Sequence, residues 1–382
     1  MNALARAACV VCLSLSAIAE PGRSPEDALR AELETLRREL DFPGATAAFV
    51  LRDGTFGEVA VGLADRETGD PMTPRHGLLA ASIGKTFVSA VALALAAENR
   101  LNLEAPISHW LGQAPWFSRL PQGASITVRH LLTHRAGVPD HVHQADFRAA
   151  LQRRWRTDAP PFTAEELIGF VLDQPGACPP GAGWAYSDTG YVLLGLILEE
   201  VCGRPLYSEV TARFLEPLRL TRTRPSNQRL LPELAPGYTN TRNPFDFPVK
   251  STDERGHLRW HPGIENFGGG WVSNAGDLAR WGAALYAGEA LPGAAREELH
   301  RTFPITNEPA APRYGHGVSH YPEGPLGPTW GHGGWIPGYV SSLRHYSRHG
   351  LTVAFQINTD AVASATNWLT EMELRLAHAL LP

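Results

Sequence analysis

The sequence has few lysines and no block of basic residues. Its 34 basic residues are 32 arginines, Lys85 and Lys250, and 39 acidic residues give a net charge of -5. A chain without a basic patch has no electrostatic attraction for nucleic acid or for an anionic membrane surface, so we expect neither partner. The composition, with 43% hydrophobic and 19% charged residues, is typical of a globular protein with a large core.

Long apolar runs are absent after the first twenty residues. The run from Ala7 to Ala19 follows Arg6 and is shorter than the roughly 20 residues that a membrane-spanning helix needs. Its ending, Ala17-Ile18-Ala19, is typical of a cleaved leader. The pattern predicts a signal peptide over residues 1–19, and a secreted or periplasmic chain over 20–382 without an integral membrane segment. A short buried helix or a membrane anchor is the alternative.

Cysteine is also scarce. Cleavage after the predicted leader leaves only Cys178 and Cys202. One pair of cysteines does not make a disulfide framework, and the spacing is not that of a metal site. The two thiols could pair in an oxidising compartment. Alternatively, Cys202 could lie in the core, because it ends a strongly apolar stretch.

Local patterns at both ends of the chain predict one antiparallel sheet with terminal helices. Turn residues separate alternating strands, and leucines recur at helical spacing after a serine cap and a proline. The predicted elements are a helix from Ser24, two strands around Asp53-Gly54, two strands at Tyr339–Tyr346 and Leu351–Ile357, and a last helix with Trp368, Met372, Leu376 and Leu380.

The middle of the chain is mostly helical in pattern. The segments "KTFVSAVALALAAENR" and "SDTGYVLLGLILEEVCG" are apolar almost all round, which predicts two buried helices, the second ending at Gly203. We expect a mixed α/β fold of the α+β type. Its antiparallel sheet comes from about 20–70 and 270–382, and its inserted helical subdomain from about 71–269. A cleft between them is the expected site.

Ser82 and Lys85 stand three residues apart, on one face of a predicted helix. A serine needs an adjacent base to become a good nucleophile. Lysine can give up its proton, whereas arginine in a protein cannot. The helix terminus and burial are expected to lower the proton affinity of Lys85. The scarcity of lysine elsewhere therefore indicates that Lys85 serves chemistry.

Two further motifs follow in the sequence. "WAYSDTGY" presents Tyr186 and Asp188 before a buried helix, and "WGHGGWIPGY" presents His332 in a glycine-dense strand. Each alone is more often a tight turn with core aromatics. Together with Ser82-x-x-Lys85 they resemble the serine β-lactamase-like family, which includes class C β-lactamases, D-alanyl-D-alanine carboxypeptidases, D-aminopeptidases and related esterases. That family carries Ser-x-x-Lys, Tyr-x-Asn and Lys/His-x-Gly in this order.

The resemblance runs from about Asp41 to Asp360 and implies a β-lactamase/transpeptidase-like fold. It implies that Ser82 is the acylated nucleophile, that Lys85 and Tyr186 share the general-base work, and that Tyr186 protonates the leaving group. It also implies substrate contacts for four residues and an oxyanion hole made by the backbone N–H groups of Ser82 and Trp335. The implied substrate-binding residues are Asp188, His332, Gly334 and Trp335.

Two departures from the family pattern bear on the substrate. Asp188 stands where the family usually has asparagine, so it should hold Lys85 more protonated and repel anionic acyl groups. Gly333 removes a hydroxyl with which many relatives bind a substrate carboxylate, and His332 should be mostly neutral. We therefore expect neutral esters or small amides to be favoured, although a D-peptide or a β-lactam remains open as substrate.

The sequence also suggests three alternatives. Ala80-x-Ser82-x-Gly84 nearly matches the α/β-hydrolase elbow, but that mechanism gives Lys85 no task. The histidines of "HLLTH" and its surroundings suggest zinc, but the glutamate of a zinc-protease helix is missing, so structural roles are expected for His130, His134, His141 and His143. The third is a non-catalytic penicillin-recognising sensor or binding protein. We expect an enzyme that acts as a monomer on small molecules or short peptides, without metal or cofactor.

Overall fold

The computed structural model describes residues 23–382 except 289, 307, 309–310 and 363–366. The predicted signal peptide over 1–19 lies outside the described residues. None of the helices in the described part is both long enough and apolar enough to cross a membrane.

The described residues form eleven α-helices and twelve strands, numbered here in chain order. The helices are α1 Pro25–Leu40, α2 Gly84–Ala97, α3 Ser108–Leu111, α4 Val128–Leu132, α5 Ala145–Arg156, α6 Ala164–Gly169, α7 Asp188–Cys202, α8 Leu206–Val210, α9 Ala275–Ala287, α10 Gly293–Leu299 and α11 Trp368–His378. The strands are β1 Gly44–Val50, β2 Phe56–Asp65, β3 Asp70–Pro71, β4 Leu78–Leu79, β5 Arg224–Pro225, β6 Trp271–Ser273, β7 Phe303–Pro304, β8 Arg313–Tyr314, β9 Ser319–Tyr321, β10 Thr329–Ile336, β11 Tyr339–Tyr346 and β12 Leu351–Ile357.

Nine strands form one antiparallel sheet in the order β3-β2-β1-β12-β11-β10-β9-β8-β7. The two ends of the chain meet where β1 pairs with β12, and Ala45 lies opposite Ile357. The predicted antiparallel sheet built from both ends is therefore confirmed. Both predicted hairpins are present, because each has a short turn between strands rich in β-branched and aromatic residues.

Terminal helices cover one face of this sheet. The side chain of Ser24 accepts a hydrogen bond from the N–H of Asp27 at 3.1 Å, which caps α1 as predicted. Leu29 and Leu33 of α1 share one buried apolar cluster with Met372 and Leu376 of α11. Helix α9 packs on β1, β11 and β12. The sheet is thus protected from water, apart from its edges.

The helical part of the molecule carries the first two site motifs. Helices α2 and α7 are buried over most of their length, and Gly203 ends α7 in a left-handed conformation with φ 66°, as predicted. A second sheet of three very short strands, in the order β4-β6-β5, was not predicted. It pairs Leu78 with Ser273, which places the segment before Ser82 beside the segment after the glycine run.

Lys250 and the two cysteines have structural surroundings. The Lys250 ammonium pairs with Asp65 at 2.7 Å and Glu67 at 2.9 Å, so that a long connection is fastened to the end of β2. Its side chain is 24% exposed. Cys178 and Cys202 are both half-buried free thiols, so the alternative in which they pair is not realised in this structure.

Candidate active site

Ser82 lies in a tight turn at the start of a buried helix. A 3₁₀ turn, Ala81–Ile83, leads directly into α2, as the sequence predicts for a helix that opens near Ser82. The preceding Ala81 has φ 49°, in the left-handed region that L residues other than glycine rarely adopt. Such strain persists only where the surrounding structure enforces it, and it is concentrated at functional sites.

Three motif side chains meet at the Ser82 hydroxyl. Lys85 Nζ lies 3.1 Å from Ser82 Oγ, and the Tyr186 hydroxyl donates to the same oxygen at 2.9 Å. Lys85 Nζ is also 2.5 Å from Asp188 Oδ1. Residues that are about one hundred positions apart in the chain are therefore within hydrogen-bond reach of one oxygen atom.

The hydrogen-bond acceptors around Lys85 match those that a protonated amine needs. Its side chain is fully buried, and its three N–H groups have three acceptors: Ser82 Oγ, Asp188 Oδ1 and the carbonyl oxygen of Gly268. Burial, the largest single effect, would lower the pKa of Lys85. The charge of Asp188, the neighbouring Tyr186 and the hydrogen bonds to both together outweigh burial and raise the pKa above its usual value. The expectation of lowered proton affinity is therefore wrong, and the expected effect of Asp188 prevails.

Tyr186 is a neutral phenol at rest. Burial raises its pKa to about 12, although the nearby Lys85 opposes this shift. The Lys85 ammonium lies 4.9 Å from the centre of the Tyr186 ring. This cation would stabilise a tyrosinate formed during a reaction, because opposite charges a few ångströms apart in a buried site attract strongly.

His134 forms hydrogen bonds with the residues immediately before and after Tyr186. Its carbonyl oxygen accepts the N–H of Ala185 at 2.8 Å, and its Nδ1 accepts the N–H of Ser187 at 3.2 Å. Its ring lies on the Tyr186 ring with 4.1 Å between centroids. Burial lowers the pKa of His134 far below its usual value, and the charge of Lys85 adds to the effect. The buried imidazole thus fixes the backbone and the ring of Tyr186.

The third motif lies within β10 and approaches Ser82 through the backbone. A Cβ atom on Gly334 would come within 2.2 Å of the carbonyl oxygen of Ala80, so only glycine allows this contact. Trp335 follows, and its indole is 49% exposed. The His332 ring is buried and bonds to Tyr314 at 2.8 Å. Burial, with a smaller effect of Lys85, lowers the pKa of His332 to about 3, so it is neutral.

A cavity of about 90 Å³ opens beside Ser82. It is smaller than the ~150 Å³ cavity that holds a benzene molecule. None of the described residues that line it is lysine or arginine. Its walls are mainly apolar side chains, and its polar groups include Ser82 and two carboxyl groups. The lining residues are Ser82, His141, Val142, Phe147, Leu151, Asp188, Phe245, Ile264, Glu265, Gly268, Trp335, Ile336 and Pro337.

Two buried acids near the cavity have raised pKa values. Burial raises the pKa of Asp140 to about 7, and the charge of Asp188 adds to it. Burial raises the pKa of Glu265 to about 8, against the attraction of Lys85. Burial also lowers the pKa of His141 to about 4. Apart from the paired Lys85, the described residues around the cavity therefore carry no positive charge near neutral pH.

The structure brings the sequence-predicted residues together in part. Ser82, Lys85, Tyr186 and Asp188 meet directly, whereas Gly334 and Trp335 approach through β10 and His332 lies behind Tyr186. Sequence reasoning missed Asp140 and Glu265 and gave His134 only a general structural role. Their places depend on contacts between distant segments, and no local motif marks them.

The histidines considered for zinc do not form a cluster. The described residues contain no group of three or more histidine, cysteine or acidic side chains placed to hold a metal ion. His130 instead caps α4 with Thr127, and His141 bonds through Nδ1 to Thr189 at 2.9 Å. Together with the backbone contacts of His134, these bonds serve local structure.

Comparisons with known proteins cover most of the chain. The family model described as Beta-lactamase matches residues 29–375. A penicillin-binding protein of Bacillus subtilis strain 168 is 26% identical over 342 residues, which are 87% of this chain and 71% of that protein. Esterase EstB of Burkholderia gladioli is 31% identical over 194 residues, which are 50% of this chain and 49% of the esterase. The match thus spans about half the length of that esterase.

Solved structures match the fold over nearly its whole length. The D-stereospecific amidohydrolase from Streptomyces sp. has a TM-score of 0.78 and 28% sequence identity, and the match covers 93% of this chain and 98% of that one. The amidohydrolase and this chain therefore share the sheet and the flanking helices described above.

Proposed function

This chain belongs to the β-lactamase family and is a serine hydrolase of that fold; from this premise we propose that it hydrolyses small uncharged esters and amides through an acyl-enzyme on Ser82. The observation that carries the proposal is the convergence of Lys85 Nζ and the Tyr186 hydroxyl on Ser82 Oγ, at 3.1 and 2.9 Å. Both groups donate hydrogen bonds to Ser82 Oγ, and they offer its proton a path away from the oxygen during the reaction.

Acylation moves protons through Lys85. Ser82 Oγ attacks the substrate carbonyl carbon while its proton passes to Lys85 Nζ, and Lys85 passes one of its own protons to Asp188 Oδ1. The 2.5 Å contact between Lys85 and Asp188 supports this transfer, because an ammonium cannot act as a base until it has lost a proton. Lys85 remains an ammonium throughout, and Asp188 becomes a neutral acid.

Tyr186 completes the exchange on the leaving-group side. Its hydroxyl protonates the departing oxygen or nitrogen, and the resulting tyrosinate recovers a proton from Asp188 through Lys85. In this acylation step Lys85 acts as the general base and Tyr186 as the general acid. The backbone N–H groups of Ser82 and Trp335 would bind the developing oxyanion. This role is supported by the cavity, which both residues line, and by the close approach of Gly334 to Ala80.

The charges favour substrates without a carboxylate. The Lys85 ammonium is enclosed and paired, His332 and His141 are neutral because burial lowers their pKa values, and the cavity lining holds two acids. A Cβ on Gly333 would meet only the Ser341 carbonyl oxygen at 3.9 Å, so the space for a carboxylate-binding hydroxyl is open and unfilled. The cavity of about 90 Å³ favours an acyl group of a few carbon atoms.

The setting proposed for the enzyme follows from its sequence. The apolar run before Glu20 supports export to the periplasm or the medium. We also propose that the protein is a monomer whose site is built within one chain.

The roles of His332 and Gly334 are to shape the substrate side of β10 rather than to supply charge.

Labelling with a fluorophosphonate tests the nucleophile. The wild type is expected to acquire one label, and Ser82→Ala is expected to acquire none while its circular dichroism spectrum stays unchanged. Lys85→Ala and Tyr186→Phe should each slow labelling by about 10²- to 10⁴-fold, the scale of a lost general base. Labelling that survives Ser82→Ala would refute the assignment, and a protein that labels but never turns over would be the non-catalytic binding protein.

A side-by-side assay tests the substrate class. 4-Nitrophenyl acetate and butyrate should be hydrolysed with higher kcat/KM than the octanoate ester, because the cavity is short. Nitrocefin and a D-alanyl-D-alanine peptide should be poorer substrates, because both carry a carboxylate. Faster turnover of the peptide than of the acetate would contradict the preference for uncharged substrates.

A further inference from the structure

The cavity beside Ser82 is lined by two kinds of residue. Its catalytic side includes Asp188 and Gly268, which accept hydrogen bonds from Lys85. Apolar side chains from other parts of the chain form a second wall. They include Phe147 and Leu151 of α5 and Phe245 of the connection between β5 and β6. This part of the cavity is therefore bounded by residues to which the acyl-transfer scheme gives no role.

Phe245 belongs to a short segment, residues 240–248, which we call the strap. Phe245 and Phe247 are the two buried residues of the strap, and each is 5% exposed. Phe245 packs edge-on against Phe147, with 6.3 Å between ring centroids, and it lines the cavity. Phe247 stacks instead on Trp260 at 5.0 Å and does not line the cavity. Two equally buried aromatic residues of one segment thus differ in their contact with the cavity.

Hydrogen bonds fix the backbone of the strap around Phe245. Asn243 Oδ1 accepts the N–H groups of Phe245 at 3.2 Å and of Phe247 at 2.9 Å, as asparagine side chains do in turns. Trp155 Nε1 of α5 donates to the carbonyl oxygen of Phe245 at 3.2 Å. Because these bonds use backbone groups of the strap, the Phe245 ring can be replaced without removing them.

We propose that the Phe245 ring limits the length of the acyl group and so determines the preference for short acyl chains. This inference rests on the proposed function and names the residue that sets its acyl-chain specificity. A cavity of ~150 Å³ holds a benzene molecule, so removal of this ring would add space of the same order as the present 90 Å³. Phe147 and Leu151 would border the added space, and a longer alkyl chain buried there would be stabilised by the hydrophobic effect.

Paired truncations in the strap test this role. The measured quantity is the ratio of kcat/KM for 4-nitrophenyl octanoate to kcat/KM for 4-nitrophenyl butyrate. In Phe245→Ala this ratio should rise at least about tenfold over the wild type, the effect of one methylene group in a hydrophobic pocket. Phe247→Ala removes an equally buried ring that does not line the cavity, so the ratio should stay unchanged. Phe245→Leu should also raise the ratio, and it decides the question if the alanine variant does not fold.

A labelling experiment makes the test independent of turnover. Fluorophosphonates with an octyl or an ethyl group on phosphorus modify the nucleophilic serine once. The octyl-to-ethyl ratio of labelling rates should rise in Phe245→Ala and not in Phe247→Ala. A second series keeps the acetyl group and exchanges the 4-nitrophenyl leaving group for 2-naphthyl. A changed preference in this series alone would place Phe245 beside the leaving group and overturn the inference.

The outcomes separate the two proposals. Ser82-dependent hydrolysis with the same octanoate-to-butyrate ratio in Phe245→Ala as in the wild type would overturn the role of Phe245 and leave the proposed function intact. An equal rise in Phe247→Ala would do the same, because it would indicate a general loosening of the strap. Hydrolysis and labelling that survive Ser82→Ala would instead overturn the proposed function, whatever the ratio.

Discussion

Lys85 occupies a position that arginine could not fill. A guanidinium does not release its proton in a protein, whereas an ammonium can do so when an acceptor lies beside it. Asp188 is that acceptor, and at the same time it keeps Lys85 charged at rest. The carboxylate thus both stabilises the resting ammonium and offers the proton a place to go.

Asp188→Asn tests this double role. Removing the carboxylate withdraws the attraction that raises the pKa of Lys85, so the pKa should fall. It also removes the proton acceptor, so we expect fluorophosphonate labelling at pH 7 to slow by about 10²-fold. The measurement is the second-order labelling rate between pH 5 and 10. Asp70→Asn, at an exposed strand residue, serves as the control.

An unchanged labelling rate in Asp188→Asn would contradict the transfer from Lys85 to Asp188. The family pattern has asparagine at this position, so the variant is expected to fold. In that outcome Lys85 with its lowered pKa, or Tyr186, would accept the serine proton without help from Asp188.

Asp140 should make the stability of the protein depend on pH. Burial and the neighbouring Asp188 raise its pKa to about 7, against 3.8 in the unfolded chain, while Lys85 and the N–H groups of Val142 and Asp188 oppose the shift. The folded state therefore binds the extra proton between these values. Stability contributed by neutral Asp140 is present at low pH and is lost as the pH rises through about 7.

Asp140→Asn removes this titration and keeps an acceptor oxygen. Urea unfolding at pH 5, 6, 7 and 8 should show that the free energy of unfolding of the wild type falls relative to that of the variant. Glu265 also titrates in this range, but it is present in both proteins, and His141 remains neutral. Parallel curves for the two proteins would contradict the raised pKa.

At the scale of elements, the loop after α4 positions the segment before α7. His134 has φ 54°, and its backbone, its Nδ1 and its ring all contact residues 185–187. Asparagine tolerates this left-handed conformation and retains an acceptor, but it cannot cover a tyrosine ring. The substitution therefore separates the ring contact from the backbone requirement.

His134→Asn should lower kcat for 4-nitrophenyl acetate about tenfold with little change in KM. The reason is that Tyr186 would be less well oriented, whereas the acyl cavity would be intact. Steady-state kinetics and the melting temperature are the measurements. A purely structural role would instead lower the melting temperature and leave the kcat of the folded fraction unchanged.

Sequence patterns predicted several of the long elements and none of the strands of two or three residues. The hairpins of β1–β2 and β11–β12 and the helices α1, α2, α7 and α11 carry periodicity, caps or turns that act locally. The strands β4, β5 and β6 have two or three residues and pair across gaps of more than forty positions, so no alternation marks them. The strands β7, β8 and β9 pair with near neighbours in the chain, but they too have only two or three residues, which is too short for a visible alternation.

The candidate site was predictable to the extent that motifs name it. Ser82, Lys85, Tyr186 and Asp188 were found because each has a fixed spacing within its motif. The resting charge of Lys85 was not predictable from the motifs. It depends on the distance between α2 and α7, which decides whether burial lowers the pKa of Lys85 or the neighbouring groups raise it. Glu265 stands in a segment whose conformation is set by packing against other elements, and no local motif marks it.

At the scale of the whole molecule, a buried ion pair connects α11 to the sheet. Arg344 Nε of β11 lies 3.0 Å from Glu373 Oε1, and both side chains are less than a tenth exposed. Ser342 Oγ donates to the same carboxylate at 2.5 Å. Breaking a buried pair by removing one partner leaves the other charge without compensation.

Glu373→Ala should destabilise the protein by about 3–5 kcal/mol, the usual cost of an uncompensated buried charge. Urea unfolding measures this change. Turnover per folded molecule should be unaffected, because neither member of the pair contacts Ser82. Glu371→Ala, at a 60% exposed position of the same helix, should cost less than about 1 kcal/mol. Equal effects of the two substitutions would contradict the role assigned to the buried pair.

The scarcity of lysine has a practical consequence for chemical modification. An amine-reactive reagent at neutral pH cannot reach Lys85, because that side chain is enclosed. Lys250 is held in ion pairs that raise its pKa, so it too should couple slowly. Lysine-directed crosslinkers and dyes would therefore react little with either lysine. Trypsin and an arginine-specific protease would release almost the same peptides from the protein, because 32 of its 34 basic residues are arginines.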